Sequence, residues 1–301
     1  MRDKAFIFDV KRDCSEDGPG VRTTVFFKGC PLSCVWCQNP EGIDRRPTLS
    51  FRRAACEPSR CGAPCVDACS AKRALRLVDG SIVLDHGTCD RCDLCFETCS
   101  TQALRPVGYE ITLEELLYKV LIDKPFFDAT EGGVTVSGGE ATLQMGFVSR
   151  FLMRLREKGV RTALETCGYF DFERFQKLLL PHLDLVYFDL KLFDEEASRR
   201  HTGRSNSLIL RNFVRLSETA EIPVVPRIPL VPGITDTEEN LSSLARFLEN
   251  HDATSFSLMP YNPLWVDKLQ DLGQEPRYHH RGFMSKERER ACVEYCHQAA
   301  R

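Results

Sequence analysis

The chain has 301 residues and a formal net charge of −3. This charge gives no electrostatic reason to expect nucleic acid or an anionic membrane as a partner. No apolar run approaches the roughly 20 residues that span a bilayer, and the short apolar stretch after the first residues does not resemble a signal peptide. We therefore expect a soluble, cytoplasmic protein.

Predicted strands and helices follow one another along most of the chain. Strands are predicted at residues 20–27, 133–137, 160–165, 185–190, 224–228 and 255–259. Helices are predicted at 113–122, where Thr112 and Glu115 match a capping box, and at 147–158, 171–180, 207–219, 237–250 and 285–299. Residues 47–104 are cysteine-rich and turn-prone, which indicates an inserted small domain.

Six strands interleaved with helices predict a parallel α/β fold with right-handed crossovers. Six strands are too few to close an eight-stranded barrel. We therefore expect an open, partial (β/α)6 TIM-like barrel formed by residues 1–46 and 105–301. Barrels of this kind place their chemistry at the carboxyl ends of the strands.

The sequence contains 15 cysteines, most of them between Cys30 and Cys99. In a small secreted protein this density would predict a disulfide framework, but the chain is long and has no predicted export signal. Clustered thiols in a reducing compartment usually bind metal. Zinc knuckles and scattered core cysteines are the alternatives, and the cysteine spacing has to distinguish them. Outside the clustered region, Cys167, Cys292 and Cys296 are predicted to pack in the core.

Cys30, Cys34 and Cys37 form a C-x3-C-x2-C triplet directly after the first predicted strand. Three thiolates on one tight loop can ligate three irons of a [4Fe–4S] cubane, and the remaining iron is then free to bind a substrate. A zinc knuckle would need four ligands, and this loop has no fourth cysteine.

The triplet, with Trp36 before its last cysteine, resembles the signature of the radical S-adenosylmethionine (SAM) superfamily. The longer stretches DGPGVRTTVFFKGC, residues 17–30, and WCQNPE, residues 36–41, resemble the N-terminal signature of glycyl radical enzyme activating enzymes, although that family often has His in place of Gln38. The resemblance implies that Cys30, Cys34 and Cys37 hold a catalytic cluster whose open iron chelates SAM.

Other motifs at predicted strand ends are similar to SAM-binding positions of the family, among them SGGE at residues 137–140, where Ala141 replaces the usual Pro. The resemblance implies SAM contacts from Trp36, Gly138, Gly139, Glu140, Glu165, Thr166, Asp189, Lys191, Arg227 and Asn262. Judged from the residues alone, the glycines also suit a tight turn, and the charged residues also suit a structural ion pair. The Asp189-x-Lys191 pair adds a candidate site for a monovalent cation beside SAM.

The predicted insert holds eight cysteines in two runs. Cys89, Cys92, Cys95 and Cys99 match the bacterial ferredoxin run, with Ser100 where Pro is typical, whereas Cys56, Cys61, Cys65 and Cys69 are spaced more loosely. In two-cluster ferredoxins the last cysteine of each run ligates the other cluster. We therefore predict one [4Fe–4S] cluster on Cys69, Cys89, Cys92 and Cys95 and another on Cys56, Cys61, Cys65 and Cys99. Zinc is the alternative metal.

The resemblance implies an oxidoreductase with three [4Fe–4S] clusters that cleaves SAM to methionine and a 5′-deoxyadenosyl radical. This radical would take a hydrogen from a glycine Cα in the glycine loop of a partner glycyl radical enzyme. Ferredoxin or flavodoxin would supply electrons, and a structural or docking role for the insert stays open. The alternative functions are a radical SAM enzyme acting on a small molecule or another peptide, and a non-enzymatic electron carrier or zinc protein. We expect a monomer without nucleic-acid or membrane partners.

Overall fold

A computed structural model describes residues 4–71, 73–253 and 255–299 of the chain. The first part contains β1 (Lys4–Lys11), β2 (Arg22–Phe27), β3 (Thr48–Phe51), α1 (Pro58–Cys61), α2 (Pro64–Ala68), β4 (Leu75–Val78), β5 (Ser81–Leu84), α3 (Leu94–Glu97), β6 (Leu104–Val107) and β7 (Tyr109–Thr112). The rest contains α4 (Leu113–Leu121), α5 (Lys124–Thr130), β8 (Gly133–Gly138), α6 (Met145–Glu157), β9 (Arg161–Thr166), α7 (Phe172–Leu178), β10 (Leu185–Asp189), α8 (Glu195–Thr202), α9 (Ser207–Thr219), β11 (Val224–Leu230), α10 (Glu238–Glu249), β12 (Ser257–Pro260), α11 (Trp265–Asp271) and α12 (Lys286–Ala299).

The main sheet has eight strands in the order β12-β11-β10-β9-β8-β2-β1-β7. The six strands from β2 to β12 in this order pair in parallel. They coincide with the six predicted strands, and β12 lies at an open edge, so the predicted partial (β/α)6 barrel is confirmed. The two strands at the opposite end, β1 and β7, pair antiparallel and had not been predicted. They extend the sheet on the side from which the chain enters β2.

The core lies between this sheet and the helices that cover it. Strand β8 is buried on both faces, as a central parallel strand should be. The apolar face of α6 repeats every three to four residues, with Val148, Phe151, Leu152 and Leu155 fully buried. The predicted capping box of α4 is present, because the Thr112 side chain accepts from the Glu115 N–H while the Glu115 carboxylate accepts from the Thr112 N–H at 2.9 Å.

The segment between β2 and β7 carries its own small core. Strands β3 and β6 pair antiparallel, from Thr48 opposite Val107 to Phe51 opposite Leu104, and so bring the two ends of the segment together. Strands β4 and β5 form a separate hairpin. The buried cluster of this segment contains cysteines among its apolar side chains. No helix in the described ranges is long and apolar enough to cross a membrane.

Candidate functional site

The three cysteines of the predicted triplet line one cavity of about 330 Å³ at the carboxyl ends of the parallel strands. Their loop starts at Gly29, whose φ of +99° turns the chain away from β2. The Gly29 N–H donates to the Gly42 carbonyl at 2.7 Å, and the Cys30 N–H donates to the Ile43 carbonyl at 3.1 Å. These bonds hold the start of the loop against the segment that follows it.

The far side of the cysteine loop is held by the end of α8. The Ser33 N–H donates to the Thr202 carbonyl at 2.8 Å, and the Val35 N–H donates to the His201 carbonyl at 3.0 Å. Backbone bonds on both sides leave the loop little freedom. The positions of Cys30, Cys34 and Cys37 are therefore set before any metal binds.

The surroundings of the cysteine loop raise the pKa of two of its three thiols. Burial raises the pKa of Cys34 to about 12 and raises the pKa of Cys37 further. Metal ligation requires thiolates, so assembly of a cluster here must release protons. Among the described residues, no group of three or more His, Cys, Asp or Glu converges closely enough to hold a single ion. A cubane differs from a single ion because it places each thiolate on a separate iron.

Cys167, which had been predicted to pack in the core, lies in the same cavity as the triplet. A hydrogen bond from the Cys167 thiol lowers the pKa of Cys30 despite its burial. Its position after Thr166 at the end of β9 was the only signal in the sequence, because strand ends meet at this edge of the sheet. The sequence had placed Cys167 near the expected SAM pocket with a packing role, and the structure has this thiol buried and on the cavity.

The two glycines of the SGGE motif allow a close backbone contact with the cysteine loop. Gly138 has a φ of +117°, and a Cβ there would lie 2.3 Å from the backbone N and O of Phe27. A Cβ at Gly139 would lie 2.4 Å from the carbonyl oxygens of Gly29 and Gly42. Only glycine fits either position, so both interpretations hold: the motif is a tight turn, and this turn lines the cavity.

Glu140 does not line the cavity, although the resemblance had implied a contact with SAM. Its side chain is buried, and it accepts hydrogen bonds from the Thr142 hydroxyl at 2.7 Å, the Thr166 hydroxyl at 3.0 Å and the Cys167 N–H at 2.8 Å. Its own N–H donates to the Gly29 carbonyl at 2.7 Å. The geometry makes Glu140 a positioning residue that joins β9 to the cysteine loop.

Four partly buried charged residues form one network on the cavity wall. Arg227 reaches Glu165 through Nη1 at 2.6 Å and Asp189 through Nε at 3.1 Å. Lys191 Nζ lies 2.8 Å from the other oxygen of Asp189. Ser137 donates to Glu165 at 2.5 Å. Ser137, Glu165, Asp189 and Lys191 stand near or just beyond the ends of parallel strands, and Arg227 reaches them from the middle of β11, which explains why residues far apart in sequence meet here.

Charged partners in the network oppose the effect of burial on the pKa of each of its members. Burial alone would raise the pKa of Asp189, but Lys191 and Arg227 hold it below its ordinary value. Burial does raise the pKa of Glu165, an effect that Arg227 and Ser137 oppose. The acidic partners raise the pKa values of Lys191 and Arg227 although burial acts in the opposite direction. The sequence left open whether these residues form an ion pair or a ligand site, and the structure shows an ion-pair network that faces a cavity.

The other predicted SAM contacts, Trp36, Thr166 and Asn262, also line the cavity. Gln38, at the position where the family often has His, donates from Nε2 to the Asn262 carbonyl at 3.1 Å and so ties the cysteine loop to the end of β12. Sequence reasoning had assigned no role to several further lining residues, which include Asp17, Leu32, Val231, Met259 and Tyr261. Asp17 and Leu32 lie within the signature stretch and the cysteine loop, and Val231, Met259 and Tyr261 lie at the ends of β11 and β12.

Six of the eight insert cysteines belong to its one buried cluster or pack against it: Cys56, Cys65, Cys69, Cys89, Cys95 and Cys99. The pKa of Cys65 is raised to about 11, mainly by burial and further by the nearby thiols of Cys99, Cys56 and Cys61. Burial, followed mainly by Cys89, Cys69 and Cys92, raises the pKa of Cys95 to about 12. The thiols that act on Cys65 and on Cys95 thus include the last cysteine of the other run in each case, and Cys65 also acts on Cys95.

The donor set fits the cofactors implied by the sequence. Three thiols stand at one side of the cavity, and a fixed pair of carboxylates with two cations stands at the strand ends opposite. A cubane held by three thiolates keeps one iron accessible. SAM carries an ammonium, a carboxylate and a sulfonium, so a wall with both signs of charge complements it. An open parallel barrel with this site defines the class of radical SAM enzymes.

Comparison with known proteins identifies the family. Residues 87–245 match the Radical SAM superfamily, and residues 16–60, which include the cysteine triplet, match a 4Fe-4S single cluster domain. The chain is 35% identical over 270 residues to the isethionate sulfite-lyase activating enzyme of Oleidesulfovibrio alaskensis, covering 89% of this chain and 87% of that protein. It is 34% identical to the indoleacetate decarboxylase activating enzyme of Tractidigestivibacter scatoligenes, with 90% and 87% covered.

Two further similarities agree with this result. The 4-hydroxyphenylacetate decarboxylase activating enzyme of Clostridioides difficile is 33% identical, with 93% of this chain and 89% of that protein covered. The crystal structure of a radical SAM methyltransferase from Sphaerobacter thermophilus shares the fold, with a TM-score of 0.52, 14% identity and coverage of 97% and 74%. The chain belongs to the family of radical SAM activating enzymes of glycyl radical enzymes. It is an oxidoreductase with an iron–sulfur cluster and SAM as cofactors, and its partner is a glycyl radical enzyme.

Proposed function

We propose that SAM binds in the cavity in front of the cysteine loop and that the partner's glycine reaches it from the carboxyl ends of the strands. Cys30, Cys34 and Cys37 would hold the site cluster, which supplies, when bound, the electron that cleaves SAM to methionine and a 5′-deoxyadenosyl radical. The observation that carries this proposal is the presence of all three thiols and the whole charged network on one cavity.

The charged network would orient SAM rather than react with it. Arg227 and Lys191 already neutralise Asp189 and Glu165, so the wall presents fixed dipoles whose directions the protein sets in advance. Backbone groups at Gly138 and Gly139 border the same cavity and can approach a ligand closely because no Cβ intervenes. A monovalent cation beside Asp189 would compete with Lys191 for the same oxygen.

The insert would hold two more [4Fe–4S] clusters, which makes three in the chain. The crossed grouping of its cysteines supports the predicted ligand sets. The separate apolar cluster and the β3–β6 pairing support an insert near the predicted bounds of 47–104, with pairing that continues to Val107. A core this small gains from metal ligation, as small metal-binding domains generally do.

Membership of the family does not specify which glycyl radical enzyme is the partner, so this enzyme has to be found by experiment. The similar activating enzymes serve isethionate sulfite-lyase, indoleacetate decarboxylase and 4-hydroxyphenylacetate decarboxylase, and their identities to this chain differ by only a few per cent. We propose these three enzymes as the first candidates. Ferredoxin or flavodoxin as the reductant, a monomeric state and a cytoplasmic location stay predictions of the sequence.

The test is radical transfer to a candidate partner after anaerobic reconstitution with iron and sulfide. We expect about twelve irons per chain, from three cubanes. With SAM, a low-potential reductant and the correct partner, a glycyl radical signal should appear in the EPR spectrum of the partner. An iron content near four would remove the insert clusters from the proposal, and a structure with a fourth protein ligand on the site cluster while SAM is present would overturn the SAM site.

A further inference from the structure

An arginine-rich groove runs along the outer side of the cysteine loop, separate from the SAM cavity. Pro31 and Leu143 line one part of it, and the segment 169–174 and α9 line the rest. Its arginines are Arg45, Arg174, Arg211 and Arg215, and its carboxylates are Asp171 and Glu173. The chain as a whole has a net charge of −3, so this groove is positive on an acidic protein.

Two arginines contact the backbone on either side of Cys30. The stem of Arg45 packs on Gly29, since a Cβ at Gly29 would lie 2.7 Å from Arg45 Cγ. At the rim of the groove, Arg204 donates from Nε to the Pro31 carbonyl at 3.1 Å, and its guanidinium carbon lies 5.9 Å from the ring centre of Tyr169. The groove therefore adjoins the residues next to a predicted cluster ligand.

The groove keeps a net positive charge, because its four arginines outnumber its two carboxylates. Arg215 is paired with Glu173 at 2.6 Å, and the Asp171 carboxylate caps α7 by accepting from the Arg174 N–H. Within the part of the chain that the structure describes, Arg45, Arg174 and Arg211 form no ion pair. Arg174 and Arg211 are also exposed. Their charges are available to a partner.

Around its exposed cysteine Cys92 the insert carries both signs of charge, with Arg91 between Asp90 and Cys92. Asp90 lies beside it, where one oxygen accepts from the Cys92 N–H at 3.2 Å and the other accepts from the Ser70 hydroxyl at 2.6 Å. Asp93 follows one residue later. An acidic protein would therefore be attracted to the arginine-rich groove more strongly than to this mixed face.

We propose that the arginine-rich groove docks a negatively charged protein electron donor, which reduces the site cluster directly at its own loop. One electron leaves the reduced cofactor of the donor and enters the oxidised cluster, and no bond is made or broken. The insert clusters are then not the entry point for this donor. The proposal rests on the proposed function, because it requires a redox cluster on Cys30, Cys34 and Cys37.

The test uses the reconstituted full-length enzyme and reduced flavodoxin, a small acidic protein, as the probe. In the double variant Arg174→Glu/Arg211→Glu, cluster reduction by flavodoxin at low ionic strength should be about tenfold slower or more. The wild-type rate should fall as salt is added, because salt screens exposed charges. Reduction by photoreduced deazaflavin, a small reductant that needs no docking surface, should be unchanged.

The matched control is Arg73→Glu/Arg76→Glu, which makes the same charge change at exposed positions of the insert. It should keep the wild-type rate with flavodoxin, and a slowed rate would place the entry point on the insert. A wild-type rate that ignores salt, or an unaffected groove variant, would also overturn the proposal. If flavodoxin and deazaflavin both reduced the variant Arg174→Gln/Arg211→Gln more slowly, and by the same factor, the arginines of the groove would have a structural role. Absence of the site cluster would instead abolish cleavage of SAM with deazaflavin as the reductant in the wild type, which identifies a failure of the proposed function.

Discussion

At the scale of single residues, the same motif can serve the ligand and the fold at once. In SGGE, the two glycines border the cavity, whereas Glu140 is buried behind them with its oxygens used by protein donors. Family resemblance identified the motif as part of the SAM site, but it did not show which member turns inward. The side chain of Glu140 fills a position where three donors would otherwise be unpaired, and burying unpaired donors is costly.

Substitution of Glu140 by Gln tests whether this side chain stabilises the fold or contacts SAM. Gln has one acceptor oxygen and an NH2 group, which would face the Cys167 N–H or the Thr166 hydroxyl. We expect the free energy of unfolding to fall by about 1–3 kcal/mol. Denaturant unfolding and SAM affinity should be measured on the same preparation. A weakened affinity for SAM with unchanged stability would show that Glu140 contacts SAM, as the resemblance had implied.

The role of the triplet is tested by Cys34→Ala. The variant should make no 5′-deoxyadenosine, because the site cluster loses one of its three ligands, while the insert keeps about eight irons. Product assay and iron analysis measure the two effects. Cys296→Ala, at a buried position of α12 outside the cavity, is the control and should retain activity. Reductive cleavage of SAM by Cys34→Ala would mean that the cluster is elsewhere.

At the scale of elements, the site depends on contacts between the turns that follow neighbouring strands. The turn after β8 lies against the end of β2 so closely that the backbones touch, with the Gly139 N–H donating to the Phe27 carbonyl at 2.9 Å. Parallel pairing of β2 with β8 brings these turns together. The strand order therefore sets the distance between the cysteine loop and the glycine turn.

Gly138→Ala should disrupt this contact. The added Cβ would meet backbone atoms of Phe27, and alanine tolerates a φ of +117° poorly. We therefore expect the free energy of unfolding to fall by about 2 kcal/mol or more, and we expect SAM binding to be lost as well. Gly146→Ala is the matched control, since Gly146 lies in α6 with open space around its Cβ position. That change should stabilise the protein by ~0.5–1 kcal/mol. Thermal unfolding of both variants gives the comparison, and equal effects would contradict the close-contact explanation.

At the scale of the whole molecule, the barrel and the insert have separate cores, but their cysteines belong to one predicted redox system. The main apolar cluster contains barrel residues, and the insert's cluster contains cysteines from both of its runs. Each predicted insert cluster has ligands from both runs of the insert. Because the two cores are separate, loss of one insert cluster should not disturb the barrel.

Paired substitutions test the crossed ligand sets. Cys69→Ser/Cys95→Ser removes two ligands of one predicted cluster and should cost about four irons. Cys65→Ser/Cys69→Ser removes one ligand from each predicted cluster and should cost about eight. Both variants should retain the site cluster and cleave SAM with deazaflavin as the reductant. If Cys65→Ser/Cys69→Ser lost only about four irons, each run would hold its own cluster without crossing.

The sequence by itself determined the six parallel strands, the triplet and the family resemblance, because periodic burial, capping and cysteine spacing are local properties. The crossed insert ligands were predicted by the ferredoxin rule, and the structure supports them without testing ligation. Only the tertiary structure decided that Glu140 turns away from the cavity, that Cys167 faces Cys30, and that the arginine-rich groove exists. These features join segments far apart in the chain, so strand order and the packing of turns, rather than any local pattern, bring their side chains together.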